Sequence, residues 1–185
     1  MSPDAGSEAS PSFAALVRED WITHGRDRTK PGFRAMFMYR FGVWRMTIRS
    51  RLLRAPMSVL YRFMHRHVRN HYGIELHYTA KIGRRFLIAH QGAIVIHEYA
   101  TIGDDCVIRQ GATIGAAGHY SETDAPRLGC RVSIGAGAMV LGRVEIGDGA
   151  MIGPNAVVMT NVPANAIATA APARVIAPPR ENEKR

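Results

Sequence analysis

Histidine side chains are the residues of this sequence best suited to acid–base chemistry, because an imidazole titrates close to neutral pH. The densest group of the eight histidines comprises His65, His67, His71 and His77. His67 and His71 are four residues apart and could share a helix face, as metal ligands do. No acidic residue lies between His67 and His71, however, and Arg66 and Arg69 would repel a cation. We therefore expect solvated histidines here and no metal site.

Cysteine content and the N-terminal residues bear on the cellular compartment. Cys106 and Cys130 are too few for a disulfide scaffold and are most simply small packing residues. The opening residues MSPDAGSEASPS lack the basic start and apolar core of a secretory signal. No apolar run approaches the roughly 20 residues that cross a bilayer. These features predict a cytoplasmic protein with reduced thiols.

A six-residue period of aliphatic residues dominates the second half of the chain. Neither an α-helix nor an ordinary strand produces this period. In a solenoid, each group of six residues makes one short strand and one corner, and three groups make a coil of about eighteen residues. The pattern predicts a mainly β solenoid of about four coils rather than a sandwich, whose strands would alternate with period two. The repeating positions are Ile82, Ile88, Ile96, Ile102, Ile108, Ile114, Leu128, Ile134, Val140, Ile146, Ile152 and Val158.

Two interruptions of the period mark candidate functional regions. The spacing between Ile88 and Ile96 is eight, so two residues bulge out near His90. The spacing between Ile114 and Leu128 is fourteen, which places a loop of about eight residues outside the solenoid. Repeat proteins usually carry such insertions on their binding face.

The pattern also divides the chain into four parts. We expect a disordered N-terminus at 1–12, a helical segment at 13–72, the solenoid at 73–176 and a flexible tail at 177–185. Pro31 and Pro56 should break the helical segment. Its last helix should bury one apolar stripe, which comprises Leu60, Tyr61, Met64 and Val68.

The solenoid motifs resemble those of the hexapeptide-repeat acyltransferases, and in particular the serine acetyltransferase family. The motifs are IELHYTAKIGRRFLIAH, GATIGAAG, VSIGAGAMVLG, IGPNAVV and APARVI. The compact helical lead-in and the IGRRF…H run are most similar to the short, colanic-acid type acetyltransferases of exopolysaccharide gene clusters. The resemblance implies a left-handed parallel β-helix, a homotrimer, and O-acetyl transfer from acetyl-CoA without a metal.

The same resemblance assigns a catalytic pair. His90 matches the family's general base, and Glu75 matches its partner carboxylate, which is usually Asp. Positions fifteen apart on an eighteen-residue coil would be close together on adjacent coils, so the pairing is geometrically reasonable. The carboxylate would orient the imidazole and stabilise the imidazolium. Without this role, His90 would be a surface histidine at a coil corner and Glu75 a solvated carboxylate.

Acyl-donor binding is assigned to small residues of the coils. By their motifs, Gly115, Ala116 and Ala136 would face the pantetheine arm and the thioester of acetyl-CoA, because small side chains let a ligand approach the backbone. Amides near Gly115 and Ala116 would stabilise the oxyanion. Arg174 would lie near the nucleotide end. Ordinary solenoid geometry also accounts for these small residues.

The acceptor site departs from the family pattern. Serine acetyltransferases carry an Arg-His-Pro run in the protruding loop, where this chain has Asp124-Ala125-Pro126. His119 lies in the same loop and could bind substrate beside Asp124. We therefore expect a hydroxyl on a sugar of a surface polysaccharide or exopolysaccharide precursor. Alternatives are the serine O-acetyltransferase of cysteine biosynthesis and a non-catalytic β-helix scaffold.

Positive charge is concentrated before the solenoid. The formal net charge is +9, and residues 13–71 contain thirteen Lys or Arg against three Asp or Glu. No nucleic-acid-binding motif accompanies this charge, so we expect no nucleic-acid partner. Two interpretations stay open: a solvated face that caps the open end of the solenoid, and a surface that docks on the anionic inner face of a membrane.

Overall fold

Helices form the N-terminal part of the protein. The computed structural model describes residues 11–118 and 124–174. Of the N-terminus predicted to be disordered at 1–12, residues 1–10 lie outside the described residues, as does the predicted tail at 177–185. The helices are α1 (Phe13–Thr23), α2 (Pro31–Trp44) and α3 (Arg51–His67), with a 3-10 turn at Arg45–Thr47 and a π-helical turn at Val68–Tyr72. Within the described residues, no helix is long and apolar enough to cross a membrane.

A parallel β-helix of short strands follows, and it confirms the predicted fold class. Sheet A orders its strands β1-β4-β7-β10-β13, sheet B orders them β11-β8-β5-β2, and sheet C orders them β14-β12-β9-β6-β3. All pairings between these strands are parallel. The strands are β1 (Ile74–Leu76), β2 (Lys81–Ile82), β3 (Leu87–Ile88), β4 (Ile94–Ile96), β5 (Thr101–Ile102), β6 (Val107–Ile108), β7 (Thr113–Gly115), β8 (Arg127–Leu128), β9 (Ser133–Ile134), β10 (Met139–Leu141), β11 (Glu145–Ile146), β12 (Met151–Ile152), β13 (Val157–Val158) and β14 (Ile167–Ala168).

The predicted aliphatic positions stack on one another inside the prism. In sheet B, Ile82 pairs with Ile102 and Ile102 with Leu128. In sheet C, Ile88 pairs with Ile108 and Ile108 with Ile134. All twelve positions of the period are buried. Burial of one branched side chain per strand therefore provides a continuous apolar core along the solenoid axis.

The first coil is longer than the predicted eighteen residues. Gly92 donates its backbone N–H to the carbonyl of Tyr72, and Ile94 pairs with Ile74, so the stacking offset is 20 residues. The next coil of sheet A returns to 18, because Val95 pairs with Thr113. The extra two residues are the bulge near His90. Positions directly above one another at this level are therefore twenty apart in sequence.

The helical segment caps the open edge of the first coil. Tyr39 donates its hydroxyl to the carbonyl of Ala80 and accepts the N–H of Ile82. Arg40 donates to the carbonyls of Ile82 and Gly83 at 3.0 and 2.6 Å. These strand-edge groups would otherwise be unpaired at the end of the solenoid. The capping interpretation is therefore supported, although buried side chains rather than solvated arginines make these contacts.

Two further contacts bring α1 and α2 onto strand β3. The buried His24 ring accepts the N–H of Ile88 through Nε2 at 3.3 Å, and its Nδ1 donates to the carbonyl of Asp20 at 2.7 Å. A Cβ atom at Gly32 would lie 2.2 Å from the carbonyl oxygen of Ile88. Only glycine allows the first turn of α2 to approach the strand this closely.

The prediction of helix breaks is right at one proline and wrong at the other. Pro31 begins α2, but α3 runs through Pro56. A proline removes one intrahelical hydrogen bond, and packing of the buried side of α3 against the core offsets that loss. Tyr61 and Val68 of the predicted stripe are buried, whereas Leu60 is exposed.

Candidate active site

A cavity of about 400 Å³ opens on the outer surface of sheet A. This volume suits part of a small-molecule ligand. Helix α3 contributes His65, strand β1 contributes Glu75 and strand β7 contributes Thr113. The corners that follow β1 and β4 contribute the remaining polar side chains. The lining residues are His65, Glu75, His77, Val95, Ile96, His97, Glu98, Thr113, Gly115, Ala116 and Gly118. The cavity therefore joins three predicted site residues, Glu75, Gly115 and Ala116.

Partly buried imidazoles lie beside carboxylates in this cavity. Burial lowers the pKa of His65, with the neighbouring His77 adding to the effect and Glu75 opposing it. Burial also lowers the pKa of His77, and Glu98 opposes that shift. The Nδ1 atom of His77 lies 3.6 Å from Glu98 and 2.8 Å from the hydroxyl of Thr79. These neutral rings can accept or relay a proton at neutral pH.

This group of imidazoles is not apparent from the sequence. The sequence predicts solvated histidines at His65 and His77, but both side chains are partly buried against Tyr61. His97, which the sequence analysis did not consider, is buried and accepts the N–H of Tyr99 through Nδ1. A signal was available, because His77 and His97 each follow a strand of sheet A at equivalent corners. The 20-residue stacking offset of the first coil is needed to recognise that these two corners are equivalent.

The base of the protruding loop is held by Asp124. Its Oδ2 atom accepts the backbone N–H groups of Ala117 at 3.0 Å and Gly118 at 3.2 Å. The neighbouring Ala125 is buried. Asp124 therefore closes the loop next to the cavity, and its role in substrate binding stays a prediction. The other predicted loop residue, His119, lies outside the described residues.

His90 lies at the opposite edge of sheet A from Gly115. It follows β3 at the corner that leads into β4, and its side chain is exposed. Ala136 occupies the equivalent corner after β9. Glu75 is also exposed, and among the residues that the structure describes no hydrogen bond or ion pair joins it to His90. One chain therefore places the predicted base at one edge and the predicted oxyanion amides at the other.

Arg174 and the His67–His71 pair do not line the cavity. Arg174 follows the last strand and is exposed. The stacked pair His67 and His71 has ring centroids 4.3 Å apart. Across residues 11–118 and 124–174, no group of three or more His, Cys, Asp or Glu side chains could hold a metal ion.

Comparison with known sequences identifies relatives over most of the chain. A family model described as bacterial transferase hexapeptide (six repeats) matches residues 125–159. A serine acetyltransferase of Helicobacter pylori (strain J99) is 40% identical over 146 residues, which cover 79% of this chain and 81% of the relative. The Salmonella typhimurium serine acetyltransferase is 37% identical over 148 residues, covering 80% of this chain and 52% of the relative.

Comparison with solved structures gives the same group of proteins. Serine acetyltransferase isoform 3 of Entamoeba histolytica, in complex with cysteine, has a TM-score of 0.73 at 26% identity, covering 90% of this chain and 62% of that chain. The Brucella abortus enzyme in complex with coenzyme A has a TM-score of 0.73 at 26% identity, covering 91% and 69%. Soybean serine acetyltransferase complexed with serine has a TM-score of 0.73 at 30% identity, covering 90% and 70%.

Proposed function

The chain belongs to the serine acetyltransferase family of acyltransferases, and on this premise we propose that it transfers an acetyl group from acetyl-CoA to a hydroxyl group. The observation that carries the proposal is the cavity on sheet A, where Glu75 and the Gly115–Ala116 backbone lie beside three imidazoles. The coenzyme A complex of the Brucella abortus relative supports acetyl-CoA as the donor.

We propose further that the working enzyme is a homotrimer whose sites lie between chains. The outward residues of sheet B are polar, as at Lys81 and Arg127. Sheets A and C instead expose apolar residues outward, which are Val95, Met139, Val157, Met151 and Ile167. These two faces meet at the corner that carries His90. Packing of copies through them would bury the apolar residues and would bring His90 of one chain toward the cavity edge of another.

In the proposed reaction, His90 takes the proton of the acceptor hydroxyl as its oxygen attacks the thioester carbonyl carbon. Backbone N–H groups near Gly115 and Ala116 stabilise the resulting oxyanion. The carbon–sulfur bond then breaks, and the coenzyme A thiolate recovers a proton from the imidazolium. Glu75 orients the imidazole and stabilises its charged form. Ala136 and Arg174 are proposed to contact the pantetheine arm and the nucleotide end of the donor.

For the acceptor, the comparisons favour L-serine, which the sequence analysis held as the alternative to a sugar. The names of the relatives and the soybean complex with serine support this assignment. A sugar hydroxyl of an exopolysaccharide precursor is the second candidate. The loop favours this candidate. Ala125 stands at the position of the family's histidine, and Asp124, at the position of the family's arginine, accepts two backbone N–H groups.

The deciding experiment is release of free thiol from acetyl-CoA by the purified protein, first with L-serine and then with a panel of sugars and oligosaccharides. Turnover with serine supports the first acceptor, and turnover with a saccharide alone supports the second. His90→Ala should lower kcat by about 10²- to 10⁴-fold without changing the melting temperature. His77→Ala is the matched control within the cavity and should retain more activity. Thiol release that stays at background with every acceptor would support the scaffold alternative, whereas full activity of His90→Ala would refute His90 as the general base.

The compartment is also part of the proposal. Cys106 and Cys130 are both free thiols, which suits a reducing compartment such as the cytoplasm. Whether the protein works at a membrane surface depends on its helical segment.

A further inference from the structure

Helix α3 presents an apolar face to solvent. Leu52 is 87% exposed and Phe63 is 64% exposed, although both are large apolar residues. Leu52, Val59 and Phe63 are spaced by seven and four residues, so they lie on one side of the helix. Leu53 and Leu60 extend this side, and both are exposed. We refer to Leu52, Leu53, Val59, Leu60 and Phe63 as the α3 face.

Cations border the α3 face. Arg51, Arg62 and Arg66 are separated by eleven and four residues, which places them in a row along one side of it. None of the three takes part in an ion pair within the described part of the chain. From residue 28 to residue 74 the sequence contains eleven Lys or Arg and no Asp or Glu. The helix therefore combines an apolar side with an unopposed cationic border.

A second apolar feature adjoins the α3 face. A groove of about 1020 Å³ runs between α1, α2 and α3, and Phe63 lines it as well as belonging to the face. Among the described residues, no carboxylate lines this helical groove, whereas Arg18, Arg28 and Arg34 do. The Nε1 atom of Trp21 is buried without a hydrogen-bond partner among the described residues. The rest of the lining is mostly apolar or aromatic, as at Phe13, Phe33 and Phe37.

We propose that the α3 face and the helical groove bind the surface of an anionic bilayer, with the groove receiving an acyl chain of an acidic phospholipid. The α3 face would enter the boundary between headgroups and acyl chains, as amphipathic helices do. Arg51, Arg62 and Arg66 would contact lipid phosphates, and Arg18 and Arg28 would hold the headgroup of the lipid in the groove.

Charge distinguishes this occupant from the alternatives. A second copy of the chain would bring the same arginine-rich surface against the first, and like charges would repel. Residues 1–10, MSPDAGSEAS, offer no aromatic or branched aliphatic side chain to fill an apolar groove. An acidic phospholipid supplies both a negative group and an apolar chain.

The first test is flotation of the full-length protein with vesicles of phosphatidylcholine containing about 30% phosphatidylglycerol. We expect binding at about 50 mM NaCl, weaker binding at about 500 mM, and none to pure phosphatidylcholine. Absence of binding to the anionic vesicles at low salt overturns the proposal. Vesicle binding is measured without acetyl-CoA, so its outcome is separate from that of the turnover assay.

Substitutions test the α3 face and its cationic border in turn. Leu52→Glu/Phe63→Glu should lower the partition coefficient at least about tenfold, whereas Ile22→Glu, at an exposed apolar position of α1, should have a much smaller effect. Arg51→Gln/Arg62→Gln should lower binding about fivefold per arginine. Arg131→Gln/Arg143→Gln removes the same charge from the β-helix and serves as its control. Unchanged binding of Leu52→Glu/Phe63→Glu overturns the assignment of this face.

Tryptophan fluorescence tests the groove itself. The chain has two tryptophans, and Trp44→Phe leaves Trp21 as the reporter inside the groove. Phosphatidylglycerol with brominated acyl chains should quench Trp21 strongly, and lack of quenching in bound protein overturns occupancy of the groove by an acyl chain. Sedimentation equilibrium addresses the rival occupant. A lower oligomeric mass of Leu52→Glu/Phe63→Glu without vesicles would assign the face to a second copy and overturn the proposal.

Discussion

Arg40 is the residue on which attachment of the helices to the solenoid depends most directly. Its side chain is buried, and it donates to Asp20 at 2.8 and 3.4 Å and to the carbonyls of Ile82 and Gly83. Arg40→Met keeps most of the side-chain volume but removes every one of these bonds. Asp20 is then buried without its cation, which costs about 3–5 kcal/mol. Each carbonyl left without its donor adds about 1 kcal/mol.

We therefore expect Arg40→Met to lower the free energy of unfolding by about 5–7 kcal/mol, which corresponds to a fall in melting temperature of about 10 °C or more. Thermal unfolding followed by circular dichroism measures the change. Asp20→Asn/Arg40→Met removes the stranded charge and should recover about 2 kcal/mol relative to Arg40→Met. Arg51→Met, at an exposed arginine, is the control and should change stability by less than about 0.5 kcal/mol.

The pH dependence of Arg40→Met provides an independent check. Burial raises the pKa of Asp20, and the Arg40 guanidinium opposes that rise. Without Arg40 the folded state binds the Asp20 proton more tightly than the unfolded state does. The free energy of unfolding of the variant should therefore rise as the pH falls from neutral toward about 4. A loss below about 1 kcal/mol, or a loss that does not change with pH, would refute the reasoning.

Three further predictions concern other buried groups. Burial lowers the pKa of His24, so its contribution to stability should be lost as the pH falls below about 6.5, and His24→Gln should flatten this dependence in thermal unfolding. Gly32→Ala places a Cβ atom 2.2 Å from the carbonyl oxygen of Ile88 and should cost about 1–3 kcal/mol by the same measurement. Burial raises the pKa of the Cys106 thiol to about 11, so iodoacetamide should alkylate Cys130 much faster than Cys106, as mass spectrometry of the folded protein can follow.

Controls for these predictions use positions without the same contacts. Gly118→Ala places its Cβ atom more than 4 Å from any neighbouring atom of the described residues and should leave stability nearly unchanged, in contrast to Gly32→Ala. If both glycine variants have the same melting temperature, the close approach of α2 to strand β3 does not require glycine at position 32. Equal alkylation rates for the two thiols would contradict the burial of Cys106. If the pH dependence of the free energy of unfolding is unchanged in His24→Gln, a group other than His24 causes it.

The sequence by itself determined the solenoid and the inward direction of the twelve aliphatic residues of the period, from Ile82 to Val158. A six-residue period is a local property, since each group of six residues forms its own strand and corner and buries its own aliphatic side chain. The motifs also pointed to the family and to acetyl transfer, and the comparisons confirm both at that level. The roles of His90, Glu75 and the donor-binding residues stay predictions.

Only the tertiary structure decided how the coils stack and what covers their open end. The bulge lengthens the first coil, so Ile94 stacks on Ile74, and the fifteen-residue spacing of Glu75 and His90 does not by itself bring them into contact. Arg40 reaches Ile82 across more than forty residues of sequence. Such contacts depend on where packed helices come to lie on the first coil, and no local spacing in the sequence specifies that position.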